Sequence, residues 1–173
     1  MSSPSFRVTE HVIPCQYIRE YSHAVKSEDT ALQLAIKEYQ PVDNLAPSAD
    51  SVTVIAAHAN GFPKECYEPL FGDLLRAAKG RIRSIWIADC SHQGASGVLN
   101  ENIQADDREY SKAHVQQLAE MTRTLTRKLP TADWFDHSRD LLCMVNKFQS
   151  RMPRPIIGIA HSMGCAQLYA TSA

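Results

Sequence analysis

The sequence predicts an α/β protein with a mostly parallel sheet and crossover helices, entered through an antiparallel hairpin. Three observations predict it. Short, nearly continuous apolar runs at 51–57, 82–88 and 156–160 have the character of strands covered on both faces. Segments of helical period, 69–79 and 134–152, alternate with them. Strands separated by helices of this length need crossover connections, and crossovers make neighbouring strands parallel.

Taken in order, residues 6–21 mix β-branched and aromatic side chains and read as a first strand or two. Residues 31–39 (Ala31-Leu32-Gln33-Leu34-Ala35-Ile36-Lys37-Glu38-Tyr39) alternate near period two, as a strand with one wet face does. Residues 41–50 carry two prolines, Asn44, Ser48 and two aspartates, a turn-rich link. In 69–79, Leu70, Phe71, Leu74, Leu75 and Ala78 fall on one helical face, with Pro69 near the start and Gly80 just past the end. In 134–152, Leu141, Val145, Phe148 and Met152 step by four, three and four, with Thr131 or Asp133 as cap and Pro153 and Pro155 as stop. Residues 101–130 are polar and charged and read as an insertion within a single domain, 1–173. Val115, Leu118, Thr122, Leu125 and Leu129 allow one extra helix there.

Composition removes several classes of function. The net charge of −1 gives no electrostatic case for nucleic acid or an anionic membrane surface. No apolar run approaches the roughly 20 residues of a membrane span. Five scattered cysteines lack a Cys-x-x-Cys pair and zinc-ligand spacing, so reduced thiols in an intracellular protein are expected, with no metal and no cofactor.

Chemistry gathers where the strands end. Ile156-Ile157-Gly158-Ile159-Ala160-His161-Ser162-Met163-Gly164 runs from a strand through small residues into a helix-compatible tail. A serine on a sharp strand-to-helix turn stands clear of the sheet and becomes a nucleophile. The usual pattern is Gly-x-Ser-x-Gly, and Ala160 replaces the first glycine. Upstream, His58-Ala59-Asn60-Gly61-Phe62-Pro63 has the form of a loop that offers backbone N–H groups to an oxyanion. The expected donors are the amide of Phe62, or of its neighbour Gly61, and that of Met163. Asp89-Cys90-Ser91-His92-Gln93-Gly94-Ala95-Ser96 approximates Asp-x-x-Gly-x-Gly-x-Ser, whose aspartate and serine tie down a loop by hydrogen bonds to backbone. His58, Asn60, Gly61, His92 and His161 are expected to line the substrate. The order of these three stretches, each after an apolar strand, is the layout of the N-terminal half of an α/β-hydrolase.

The stretches His58–Glu65, Ser91–Gly94, Ser96–Asn100, Trp134–Leu142 and Pro153–Gly158 resemble fungal abhydrolase-domain proteins, including hydrolases of host-selective toxin gene clusters in plant-pathogenic filamentous fungi. The resemblance covers most of the chain outside 103–130. It implies a serine hydrolase acting on a polyketide or fatty-acid-like precursor of the epoxy-decatrienoate type, with a small acyl or ester substrate as partner, and a link to virulence. It also implies peroxisomal residence, although Thr171-Ser172-Ala173 is not a peroxisomal tripeptide; the alternative is the cytoplasm.

In the hydrolase order an acid and a histidine follow the nucleophile, but residues 163–173 contain no Asp, Glu or His. A serine without a base is a poor nucleophile. The competing expectation is therefore an inactive, truncated homologue. In it the strand at 156–160 becomes an exposed apolar sheet edge, open to self-association.

Overall fold

A computed structural model of the chain describes residues 6–19, 25–26, 30–43, 47–103 and 134–172. The strands are β1 (Phe6–Pro14), β2 (Gln33–Pro41), β3 (Val52–Ala57), β4 (Ile82–Ala88) and β5 (Ile156–Ala160). The helices are α1 (Glu68–Ala78), α2 (Gly94–Asn100), α3 (Trp134–Lys147) and α4 (Met163–Ser172). The strands form one sheet in the order β1-β2-β4-β3-β5. β1 pairs antiparallel with β2, and β2 antiparallel with β4, while β4, β3 and β5 run parallel. The expected hairpin and parallel core are both present. The expected helix at 115–129, the caps Thr131 and Asp133 and most of the polar insertion lie outside the described residues.

Period two explains why β3 and β4 are apolar throughout. Val54, Ala56, Ile85 and Ile87 face one layer, packed with Tyr39, Phe71 and Leu75. Ile55, Ala57, Trp86 and Ala88 face the other, packed with Leu141 and Met144 of α3 and with Met152 beyond it. Each side chain of these strands thus loses water on its own face. For a residue the size of Phe71 that burial stabilises by about 1.5–3 kcal/mol.

Helix α1 differs from expectation in one position. Phe71 and Leu75 are buried, but Leu70 is 50% exposed, because it sits at the margin of the apolar stripe. The helix stops where Lys79 (φ 49°) and Gly80 (φ 81°) turn left-handed. Helix α3 is shorter than its periodicity implies. After Lys147 the chain tightens into a 3₁₀ turn, Gln149–Arg151, with Arg151 N–H donating to Phe148 O (2.8 Å), before Pro153. β5 is a margin of the sheet among the described residues, so its run is not covered on both faces. Ile156 and Ile157 are 38% and 44% exposed. The groove along it measures ≈ 1110 Å³ and is lined by β5 together with Leu142, Val145, Leu168 and Tyr169.

The topology places the site. From β3 the chain crosses to β4 on one side and later returns to β5 on the other. Parallel strands end at one edge, so the segments after Ala57, Ala88 and Ala160 meet there. The reversal of direction about β3 opens a crevice between the ends of β3 and β5.

Candidate active site

Ser162 lies between β5 and α4 with φ 52°, in the left-handed region. A non-glycine residue there is strained by about 1–2 kcal/mol. The surroundings impose the bend. His161 N–H donates to Ala57 O (3.1 Å), so pairing with β3 persists up to the turn. Gly164 N–H then donates to His161 O (3.0 Å), and Cys165 N–H to Ser162 O (2.9 Å). A side chain at Gly164 would collide with the carbonyl oxygens of Ala57 and His58, which explains glycine at that position. Ser162 is exposed. The Met163 side chain is buried and its amide opens α4, where no acceptor within the helix exists for it.

The loop after β3 stands beside this turn. The rings of Phe62 and His161 are 5.8 Å apart, edge to face. Gly61 adopts φ 77°. Asn60, Gly61, Phe62, His92 and His161 are exposed and gather at the same edge. Gln93 joins two of the loops: its Oε1 accepts Gly61 N–H (2.8 Å), and its Nε2 donates to Asn60 Oδ1 (2.7 Å) and lies 2.9 Å from His92 Nε2. The Tyr67 hydroxyl accepts Ala59 N–H (2.9 Å) and meets His161 Nδ1 (3.0 Å), coupling the loop to the elbow.

Two expectations need correction. His58 does not line a substrate surface: it is fully buried. Its Nε2 accepts Cys90 N–H (2.9 Å), which puts its proton on Nδ1, and Nδ1–H donates to Ala59 O (2.8 Å). Its place is beneath the loop, holding it. The Phe62 amide is not free either. It donates to Ala59 O (3.1 Å) and closes the Asn60-Gly61 turn. An oxyanion would have to draw it away from that acceptor or share it.

The Asp-Gly-Ser stretch ties the loop to the sheet, and its second half is helix α2. The buried Asp89 carboxylate accepts Lys64 N–H (2.9 Å), the Lys64 ammonium (2.5 Å) and Ala95 N–H (2.8 Å). Ser96 Oγ donates to Asp89 O (3.0 Å) and accepts Ala35 N–H (2.8 Å). Asn100 Nδ2 reaches Ser91 O and Gln33 O, both at 2.8 Å. Gln93, Tyr67 and Lys64 were missed by sequence reasoning. Only the place of Gln93 within 89–96 and of Lys64 directly after 58–63 could have pointed to them.

A strand that ends under an oxyanion-type loop, next to a strand that ends in a strained serine, is the central construction of one fold. The peroxisomal alpha-beta-hydrolase Lpx1 from Saccharomyces cerevisiae superposes on 98% of this chain with a TM-score of 0.71, at 19% identity and over 41% of its own length. This is part of an α/β-hydrolase fold. Among curated proteins, the type I acyl-CoA thioesterase mpaH of Penicillium roqueforti is 38% identical over 165 residues, which is 95% of this chain. The type I acyl-CoA thioesterase mpaH' of Penicillium brevicompactum matches equally, at 38% over 165 residues. The chain spans about a third of the length of these relatives, 33% in each case. No protein-family model matches the sequence. Within the hydrolase fold, Ser162 occupies the strand-to-helix turn after β5, and residues 58–63 the turn after β3.

Proposed function

We propose that this chain carries the nucleophile and oxyanion-binding parts of a serine acyl hydrolase of the thioesterase type. The observation that carries the reading is Ser162 at φ 52°, exposed on an elbow whose helix presses on the end of β3. In the step proposed, Ser162 Oγ attacks the carbonyl carbon of an acyl thioester. Its proton passes through a base to the departing thiolate, and the acyl group remains on the serine until water releases it as the acid. The developing oxyanion is held by Met163 N–H and by Phe62 N–H once it leaves Ala59 O.

The acyl-CoA thioester as substrate class is supported by the names of the Penicillium relatives. The narrower expectations rest on the sequence resemblance alone: a host-selective toxin precursor of polyketide or fatty-acid type, and peroxisomal residence. The competing reading is a chain without turnover at Ser162.

The two readings part in one assay, release of free thiol from a medium- or long-chain acyl-CoA, run with the unaltered chain and with Ser162→Ala. Faster release by the unaltered chain supports the proposal, and equal rates refute it.

A further inference from the structure

Beneath the oxyanion-type loop, three buried side chains from distant parts of the chain converge. They are His58 after β3, Cys90 after β4 and His137 in the first turn of α3, and one donor atom of each lies within 4.8 Å of the others. The imidazole rings of His58 and His137 are 5.9 Å apart. We infer that these three residues form a structural binding site for one zinc ion, independent of any acyl chemistry at Ser162.

Three observations carry the inference. First, among the described residues both ring nitrogens of His137 are buried with no hydrogen-bond partner, and so is Gln167 Oε1. Buried polar atoms almost always have a partner, so the one lone-pair nitrogen of the neutral His137 ring and the Gln167 amide oxygen call for an electron-pair acceptor. Gln167 belongs to the cluster, since its Nε2 lies 3.6 Å from Cys90 Sγ. Second, His58 is already in the tautomer a metal requires. Ala59 O holds the proton on Nδ1 and leaves the lone pair on Nε2, the support that metal-bound histidines ordinarily have from a backbone carbonyl. That lone pair now receives Cys90 N–H, which the cation would displace. Third, the donor chemistry selects the ion. Two imidazoles and a thiol suit a borderline-soft cation that accepts a tetrahedron, whereas magnesium and calcium demand oxygen ligands.

Zinc sits about 2.0–2.1 Å from imidazole nitrogen and about 2.3 Å from thiolate sulfur, so small side-chain rotations must draw the donors inward. Gln167 Oε1 or a water completes the fourth position. On binding, the Cys90 S–H bond breaks, its electron pair goes to the zinc and its proton to solvent. Burial holds the free Cys90 thiol up to about 12, and the charge of the cation offsets that. With every ligand buried, the site has no route for substrate. It ties the ends of β3 and β4 to α3 behind the loop 58–63.

The test is metal reconstitution of the purified chain. After treatment with chelator, it is titrated with Co²⁺ and with Zn²⁺, and bound metal is counted by mass spectrometry. The expected result is one ion per chain, a thiolate-to-cobalt charge-transfer band and the visible absorption of tetrahedral cobalt. Cys90→Ser should remove the charge-transfer band, and His137→Gln should weaken binding at least about tenfold. The variant lacking the exposed thiols, Cys66→Ser with Cys165→Ser, should keep both signals. No charge-transfer band in the unaltered chain overturns the proposal. So does a band that survives Cys90→Ser or vanishes with Cys66 and Cys165. If Cys90→Ser fails to fold by circular dichroism, the unaltered chain and the exposed-thiol variant still decide.

Discussion

At Ser162 a side chain that prefers negative φ is held at 52°, and the cost is local. Replacing it with glycine removes that strain without removing a packed group, since Ser162 is exposed. Ser162→Gly is therefore expected to gain about 1 kcal/mol in urea unfolding while losing any reactivity of the site. A loss of stability would mean that the serine side chain holds the turn. The opposite sign is expected at Asp89. Asp89→Asn removes the buried counter-charge of the Lys64 ammonium and leaves it only the more exposed Glu65 carboxylate at 3.0 Å, so a loss of about 3 kcal/mol should appear as a lower denaturant midpoint. The serine was legible at this scale because small residues and an apolar run frame it. The burial of His58 was not, since a histidine heading a loop reads the same whether it faces inward or outward. Nor was the engagement of the Phe62 amide, which depends on where the carbonyl of Ala59 points.

The elements were legible where one force dominates. The apolar runs of β3 and β4 had only one explanation, burial on both faces, and their bounds agree with the sequence reading to within a residue. Helix ends were less so. Helix α3 yields to a 3₁₀ turn ahead of Pro153, a competition between ladder geometry and proline that periodicity does not register. The contact of α4 with β3 was foreseen only as a demand for small residues. Its test is Gly164→Val. The added branches must displace the carbonyls of Ala57 and His58, and a loss of about 1–3 kcal/mol or more is expected in thermal unfolding. A neutral result would show the elbow to be looser than described.

For the molecule as a whole, the open question is the margin formed by β5. Among the described residues, Ile-Ile-Gly-Ile-Ala pairs with β3 alone, and Ile156 and Ile157 are exposed along an apolar groove. We propose that two copies of the chain pair through it, antiparallel about a two-fold axis. Sedimentation of the unaltered chain should then show a concentration-dependent dimer that Ile157→Lys weakens. A monomer at all concentrations contradicts the pairing. The parallel order β4-β3-β5, which brings the two loops together, followed from alternation of elements.

The central claim is that the strained serine is the reactive one. Incubation with a fluorophosphonate, digestion and peptide mass spectrometry test it directly. The account predicts a covalent adduct on the peptide containing Ser162, absent from Ser162→Ala. An unmodified Ser162 in a chain shown to be folded, or an adduct that persists elsewhere after the substitution, would contradict it.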